Sequence, residues 1–85
     1  MRERTLTPAE LRPGMWVRSF MFDSRPVWLP LAERPRRNPE TGVYRVKFRV
    51  PPELRGRAAG WFWAAPTAQL AVRTEKEMRV KETAR

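Results

Sequence analysis

From Val43 to Val50 the chain alternates without interruption. Tyr44, Val46, Phe48 and Val50 fall on one side of an extended strand, and Arg45, Lys47 and Arg49 fall on the other. The segment therefore predicts a half-buried strand whose outer face is cationic. Same-side residues on a strand lie about 6.5–7 Å apart, close to the phosphate spacing of an extended nucleic acid. The row Arg45, Lys47, Arg49 is thus spaced to follow a phosphate backbone.

Other segments supply shorter strands. Val27-Trp28-Leu29-Pro30-Leu31 predicts a strand with Val27, Leu29 and Leu31 inward, and Pro30, which has no N–H, confines it to a sheet edge or a bulge. Met15 to Phe22 is rich in strand formers, but both alternating sets hold apolar residues, which predicts a bend or bulge inside it. Trp61 to Ala64 and Ala68 to Arg73 complete five strands, the last with Ala68, Leu70 and Val72 inward. Asp23 to Pro26 reads as a turn, 32–42 as a mobile cationic loop, and 51–60 as a second loop opening on a helical turn. Thr7-Pro8-Ala9-Glu10 has the N-cap, N1 proline and glutamate of a capping box, so it predicts one helical turn, ended by Pro13-Gly14. Thr74 to Arg85 is charged and too poor in apolar residues to bury a face, so it reads as a frayed helix or a disordered tail. The expected organisation is one small β domain over 1–73, its core starting near residue 5, followed by the charged tail 74–85.

Five short strands joined by Pro- and Gly-bearing turns predict an all-β barrel or sandwich. Leu11-Arg12-Pro13-Gly14-Met15-Trp16-Val17-Arg18 resembles the Leu-x-Pro-Gly-x-x-Val lead-in to the first strand of SH3-like small barrels, KOW-type modules of nucleic-acid-binding proteins among them. The likeness covers these eight residues, and the long Arg- and Pro-rich loop at 32–42 departs from the KOW pattern. It implies an SH3-like barrel of about five strands with a short N-terminal helical turn and a charged C-terminal tail.

Chemistry is constrained by what the chain lacks. It has no cysteine and no histidine, which removes disulfides, thiolate sites, the commonest metal ligand and the usual near-neutral acid–base group. Asp23 and eight glutamates are the only carboxylates, Ser19 and Ser24 have no histidine to activate them, and no Gly-rich phosphate loop follows a strand. The expectation is a non-enzyme without cofactor or metal. The N-terminus has no apolar targeting segment, and no run of about 18 apolar residues occurs, so a cytoplasmic protein without membrane association is expected.

Charge points to a partner. There are 18 basic against 9 acidic residues, a net +9, and 15 of the 18 are arginine, whose planar fork suits phosphate. The same composition arises in proteins of a GC-rich bacterial or phage genome. The candidate nucleic-acid-binding set is Arg45, Lys47 and Arg49 on the strand, flanked by Arg34, Arg36, Arg37, Arg55 and Arg57 on loops, with Trp61 and Trp63 as stacking residues. Trp61 and Trp63 share a face opposite Phe62 and Ala64. Because four tryptophans are a large part of the core available to so small a domain, burial in the core or a subunit interface is the favoured placement, and a base-stacking platform is the other. Trp16 and Trp28 lean further toward the core. The expected function is binding of DNA or RNA, mainly through backbone phosphates. The alternative is a protein-interaction module that binds an acidic partner or itself through an aromatic patch. The side on which Trp61 and Trp63 lie relative to Arg45, Lys47 and Arg49 separates the two.

Overall fold

The computed structural model describes residues 4–83, with side chains through residue 79. Among the described residues seven strands run in the order β1 (Arg4–Leu6), β2 (Trp16–Phe20), β3 (Pro26–Pro30), β4 (Arg36–Arg37), β5 (Tyr44–Lys47), β6 (Trp61–Ala64) and β7 (Leu70–Arg73), followed by helix α1 (Glu75–Thr83). Single 3-10 turns occupy Pro8–Glu10 and Pro52–Leu54. The fold is mostly β, as the turn-punctuated sequence predicts. All strand pairs are antiparallel, in a four-stranded sheet of order β1-β7-β2-β3 and a three-stranded sheet of order β4-β5-β6.

The sheets join at two places. Just beyond β3 and β5, Leu31 pairs with Phe48, while the Ala32 N–H donates to Lys47 C=O and the Arg49 N–H to Pro30 C=O. Beyond β2, Met21 pairs with Ala58. These contacts fold one sheet against the other, although the ladder does not close into a continuous ring. Pro30 lies on an edge strand of the four-stranded sheet, where it accepts from the Arg49 N–H across the join and, lacking an N–H, returns no bond.

One core fills the space between the sheets. Val17, Leu29 and Val72 enter it from the larger sheet, Val46, Phe48 and Ala64 from the smaller, with Leu11, Leu31 and Ala58 from the connections. Each fully buried Val or Leu contributes about 1.5–3 kcal/mol of transfer free energy, so these few side chains carry most of the stabilisation. The inward set expected for β3 is observed, with Leu29 and Leu31 buried and Val27 at the margin. Of the β5 set Val46 and Phe48 are buried, while Tyr44 and Val50 are half-buried outside the core cluster. In β7 Val72 is buried with Ala68 and Leu70 at the margin, but Ala71 of the opposite set is buried too.

Four expectations are corrected. β2 has no bulge: Trp16 to Phe20 pair in unbroken register with Pro30 to Pro26, and both sets look apolar because a small polar residue, Ser19, takes a buried inward position while Phe20 faces out. Residues 32–42 form a hairpin rather than an irregular loop. Arg36 and Arg37 pair with Arg45 and Tyr44, and Asn38 closes the turn by accepting from the Glu40 N–H on its side chain and the Gly42 N–H on its carbonyl. Arg4–Leu6, without apolar alternation, forms a strand nonetheless, because β7 offers it an unpaired edge. Trp16 and Trp28 lie outside the core cluster, on the far face of β2 and β3, where the Arg73 guanidinium stacks 4.1 Å over the Trp28 ring.

The charged tail contains α1. A second capping box starts it: the Glu77 N–H donates to Thr74 Oγ1 and the Thr74 N–H to Glu77 Oε1, both at 3.1 Å. The Trp16 indole N–H donates to Glu75 at 2.7 Å and Arg4 pairs with Glu77 at 3.3 Å, so the first turn touches both β2 and β1. Residues 84 and 85 of the expected tail, like residues 1–3, lie outside the described residues. No helix among the described residues is long and apolar enough to cross a membrane.

Candidate nucleic-acid interface

The register of the smaller sheet builds the site. Val46 pairs with Phe62 and Tyr44 with Ala64, and the Phe62 ring lies 5.3 Å from that of Phe48, so this side of β6 packs on the core. Period-two alternation then forces Trp61 and Trp63 outward. They are 49% and 54% exposed, which corrects the core placement and leaves the subunit interface and the platform as the two placements that exposure fits. Across the ladder, Lys47 pairs with Trp61 and Arg45 with Trp63, and on the other edge Arg36 pairs with Arg45. Directly opposed residues have Cβ atoms about 4.5–5.5 Å apart. Each indole therefore stands beside a cation, and Arg36, Arg45 and Trp63 form a line across all three strands.

The two indoles meet edge to face, with centroids 5.4 Å apart and an interplanar angle of 84°. That arrangement fixes their relative orientation while leaving about half of each ring surface in solvent. On the line of cations, Arg36 donates to the Glu33 carboxylate at 3.0 Å, so one acid already sits within this basic surface.

The remaining candidates divide between three places. Arg49 continues the alternation past the end of β5 and is exposed, but no β6 residue opposes it, because the ladder ends at Lys47–Trp61. Arg37 pairs with Tyr44 on the opposite face from Arg36, its guanidinium reaching over Gly42, and the exposed Arg34 precedes β4. Arg55 and Arg57 are exposed on the turn after Pro52–Leu54, where they meet the tip of the β2–β3 hairpin: Arg57 C=O accepts the Phe22 N–H at 2.8 Å. The sequence-derived set is therefore a sheet-face group of Arg36, Arg45, Lys47, Trp61 and Trp63, with Arg49 alongside, and two outlying groups.

Phe20 and Phe22, 57% and 68% exposed, were not among the candidates. The turn signal at Asp23–Pro26 places Phe22 at a hairpin tip, and that was the available clue. At the same tip the Arg25 guanidinium holds the Asp23 carboxyl below its ordinary value, chiefly through its side-chain hydrogen bond at 2.8 Å. Among the described residues no cluster of three or more His, Cys, Asp or Glu side chains comes together. No protein family, curated protein or solved structure matches the chain.

Proposed function

We propose that the protein binds nucleic acid across the outer face of β4-β5-β6, with Arg36, Arg45 and Lys47 on phosphates and the Trp61–Trp63 pair against bases. The observation that carries this is the register Lys47–Trp61 and Arg45–Trp63, which sets each half-exposed indole directly across from a cation. Phosphate contacts supply affinity and base–aromatic stacking adds about 1–3 kcal/mol per base. Stacking on any π-face is tolerant of sequence, so the binding is of backbone and base plane rather than of base identity. The activity is recognition rather than catalysis.

An SH3-like barrel is the scaffold we assign to it. Supporting it, the Leu31–Phe48 bridge joins the sheets into a path β7-β2-β3-β5-β6 in which β2 and β3, and β5 and β6, are chain neighbours and β7 returns to β2, while β4 lies on β5 and β1 on β7 outside that path. The Leu11 to Arg18 lead-in enters β2, the first strand of that path.

Titration of labelled single- and double-stranded oligonucleotides, read by anisotropy and by tryptophan fluorescence, tests the function. Binding with quenching of the indoles is the expected result, and Trp63→Ala should weaken it. A protein that binds no oligonucleotide at moderate salt would transfer the face to the protein-interaction reading, in which the same indoles dock an acidic partner.

A further inference from the structure

The β2–β3 hairpin ends in an exposed aromatic held rigidly in place. Met21 and Arg25 close the turn through the Met21 N–H to Arg25 C=O bond at 2.8 Å, and Ser24 accepts a left-handed conformation, φ 71°, to do so. Asp23 clamps Arg25 by side chain at 2.7–2.8 Å. The tip is fastened to the second sheet's lead-in by the Met21–Ala58 pair and the Phe22 N–H to Arg57 bond. Phe22 thus stands in solvent on a braced turn, beside the Asp23–Arg25 ion pair and the Arg57 backbone, with Arg55 exposed two residues before Arg57. A non-glycine residue at positive φ costs free energy and persists where the surroundings enforce it, a pattern that clusters at binding sites.

Position links this tip to the sheet face. Arg57 precedes Trp61 by four residues, a reach of at most about 14 Å, so Phe22 lies a few nucleotides of extended strand from the Lys47–Trp61 end of the platform. We propose that the hairpin tip is a second contact for the same nucleic-acid strand, with Phe22 stacking on an unpaired base and Arg55 and Arg57 meeting the phosphates beside it. This rests on the function assigned above and names its ligand as a single strand, since in a duplex neither Phe22 nor the indoles meet a free base face. Charge selects this occupant: Asp23 already pairs Arg25, so the charge of Arg57, which reaches Asp23, and of the exposed Arg55 leaves the tip region net positive, and a polyanion meets that surplus as its bases cover the ring. A second copy of the chain, at net +9, would bring like charge to the same place.

The test compares the gain in affinity when a single-stranded oligonucleotide is lengthened from about four to about twelve nucleotides, within the range of small single-strand sites. In the parent the longer strand reaches the tip. F22A should cut that gain by about 5- to 150-fold, the equivalent of one stacked base, and F22W should retain it. Because Phe22 is exposed, the melting temperature of both variants should stay near the parent's. If F22A leaves the gain intact, or lowers both affinities by one common factor, the tip is not on the strand's path. Absence of binding by the parent would instead overturn the function itself, and loss of affinity in Trp63→Ala with none in F22A would overturn only the extension.

Discussion

Replacing Arg36, Arg45 and Lys47 together by serine removes the cations that the register places on one face. If each touches a phosphate of a single strand, the slope of log affinity against log salt shrinks by about 0.7 per contact, or about 2.1 in all. Between about 50 and 200 mM salt, a fourfold range, that difference amounts to about 20-fold. The variant should therefore lose about 20-fold less affinity than the parent over this range, while binding more weakly throughout. Stability should move little. Substitutions at the exposed Arg36 and Lys47 stay within about 0.5 kcal/mol each, and the half-buried Arg45 adds the packing of its stem. The Arg36–Glu33 pair is worth about 0–1 kcal/mol, and its loss is offset by relief of the Arg36–Arg45 like-charge opposition. At about 4–8 °C per kcal/mol for a domain of this size, a shift beyond about 10 °C would mean that these residues support the fold. Anisotropy titrations at four or five salt concentrations give the slope. A folded variant with the parent's slope would remove all three from the interface.

Phe48→Ala should cost about 3–5 kcal/mol, since Phe48 is buried and packs on Phe62; a urea midpoint unchanged from the parent would show that Phe48 is not part of the core. Ser24→Gly should stabilise by about 0.5–1 kcal/mol by relieving the positive φ, and a lower melting temperature would show that the serine side chain is needed at the tip. The Glu10, Asp23 and Glu77 carboxyls are held below their ordinary values, by Thr7, Arg25 and Thr74 hydrogen bonds respectively. Their stabilisation is complete above the unfolded carboxylate range and lost as pH falls through it toward the lowered values. The melting temperature should thus fall as pH drops below the ordinary carboxylate range, less steeply in the triple variant E10Q, D23N and E77Q, and parallel curves would refute the linkage.

What the sequence disclosed depended on whether one strand's own pattern was enough. β5 was legible because its apolar and charged residues alternate cleanly, so both its core face and its cationic face follow from period two alone. β2 was not, because a buried Ser19 and an exposed Phe20 reverse the usual signals. The direction of Trp61 and Trp63 was undecidable locally, since Trp-Phe-Trp-Ala is apolar on both faces; the pairing of Phe62 with Val46, sixteen residues earlier in the chain, decides it. Arg36 looked like a loop cation until β5 drew it into a strand opposite Arg45. The Thr74–Glu77 capping box was readable as a motif, but the low apolar content after it argued against a stable helix. That argument left out Trp16, whose indole N–H bonds Glu75 across the chain.

Two half-exposed indoles also suit a protein interface, so the choice rests on what surrounds them. Protein-binding patches enrich aromatic residues at the centre and deplete charge there, because desolvating an unpaired cation is costly. Here the cations are within the patch: Lys47 and Arg45 stand directly opposite Trp61 and Trp63, with Arg36 next in line. An apolar partner covering the indoles would strip water from Arg45 and Lys47 without replacing it. A nucleic-acid strand would cover the rings with base planes and bring a phosphate to each cation, so the feature that penalises an apolar ligand favours a polyanion, and against an acidic protein the discrimination rests on oligonucleotide titration. Glu33, which engages Arg36, is the one carboxylate ion-paired to this cationic line among the described residues.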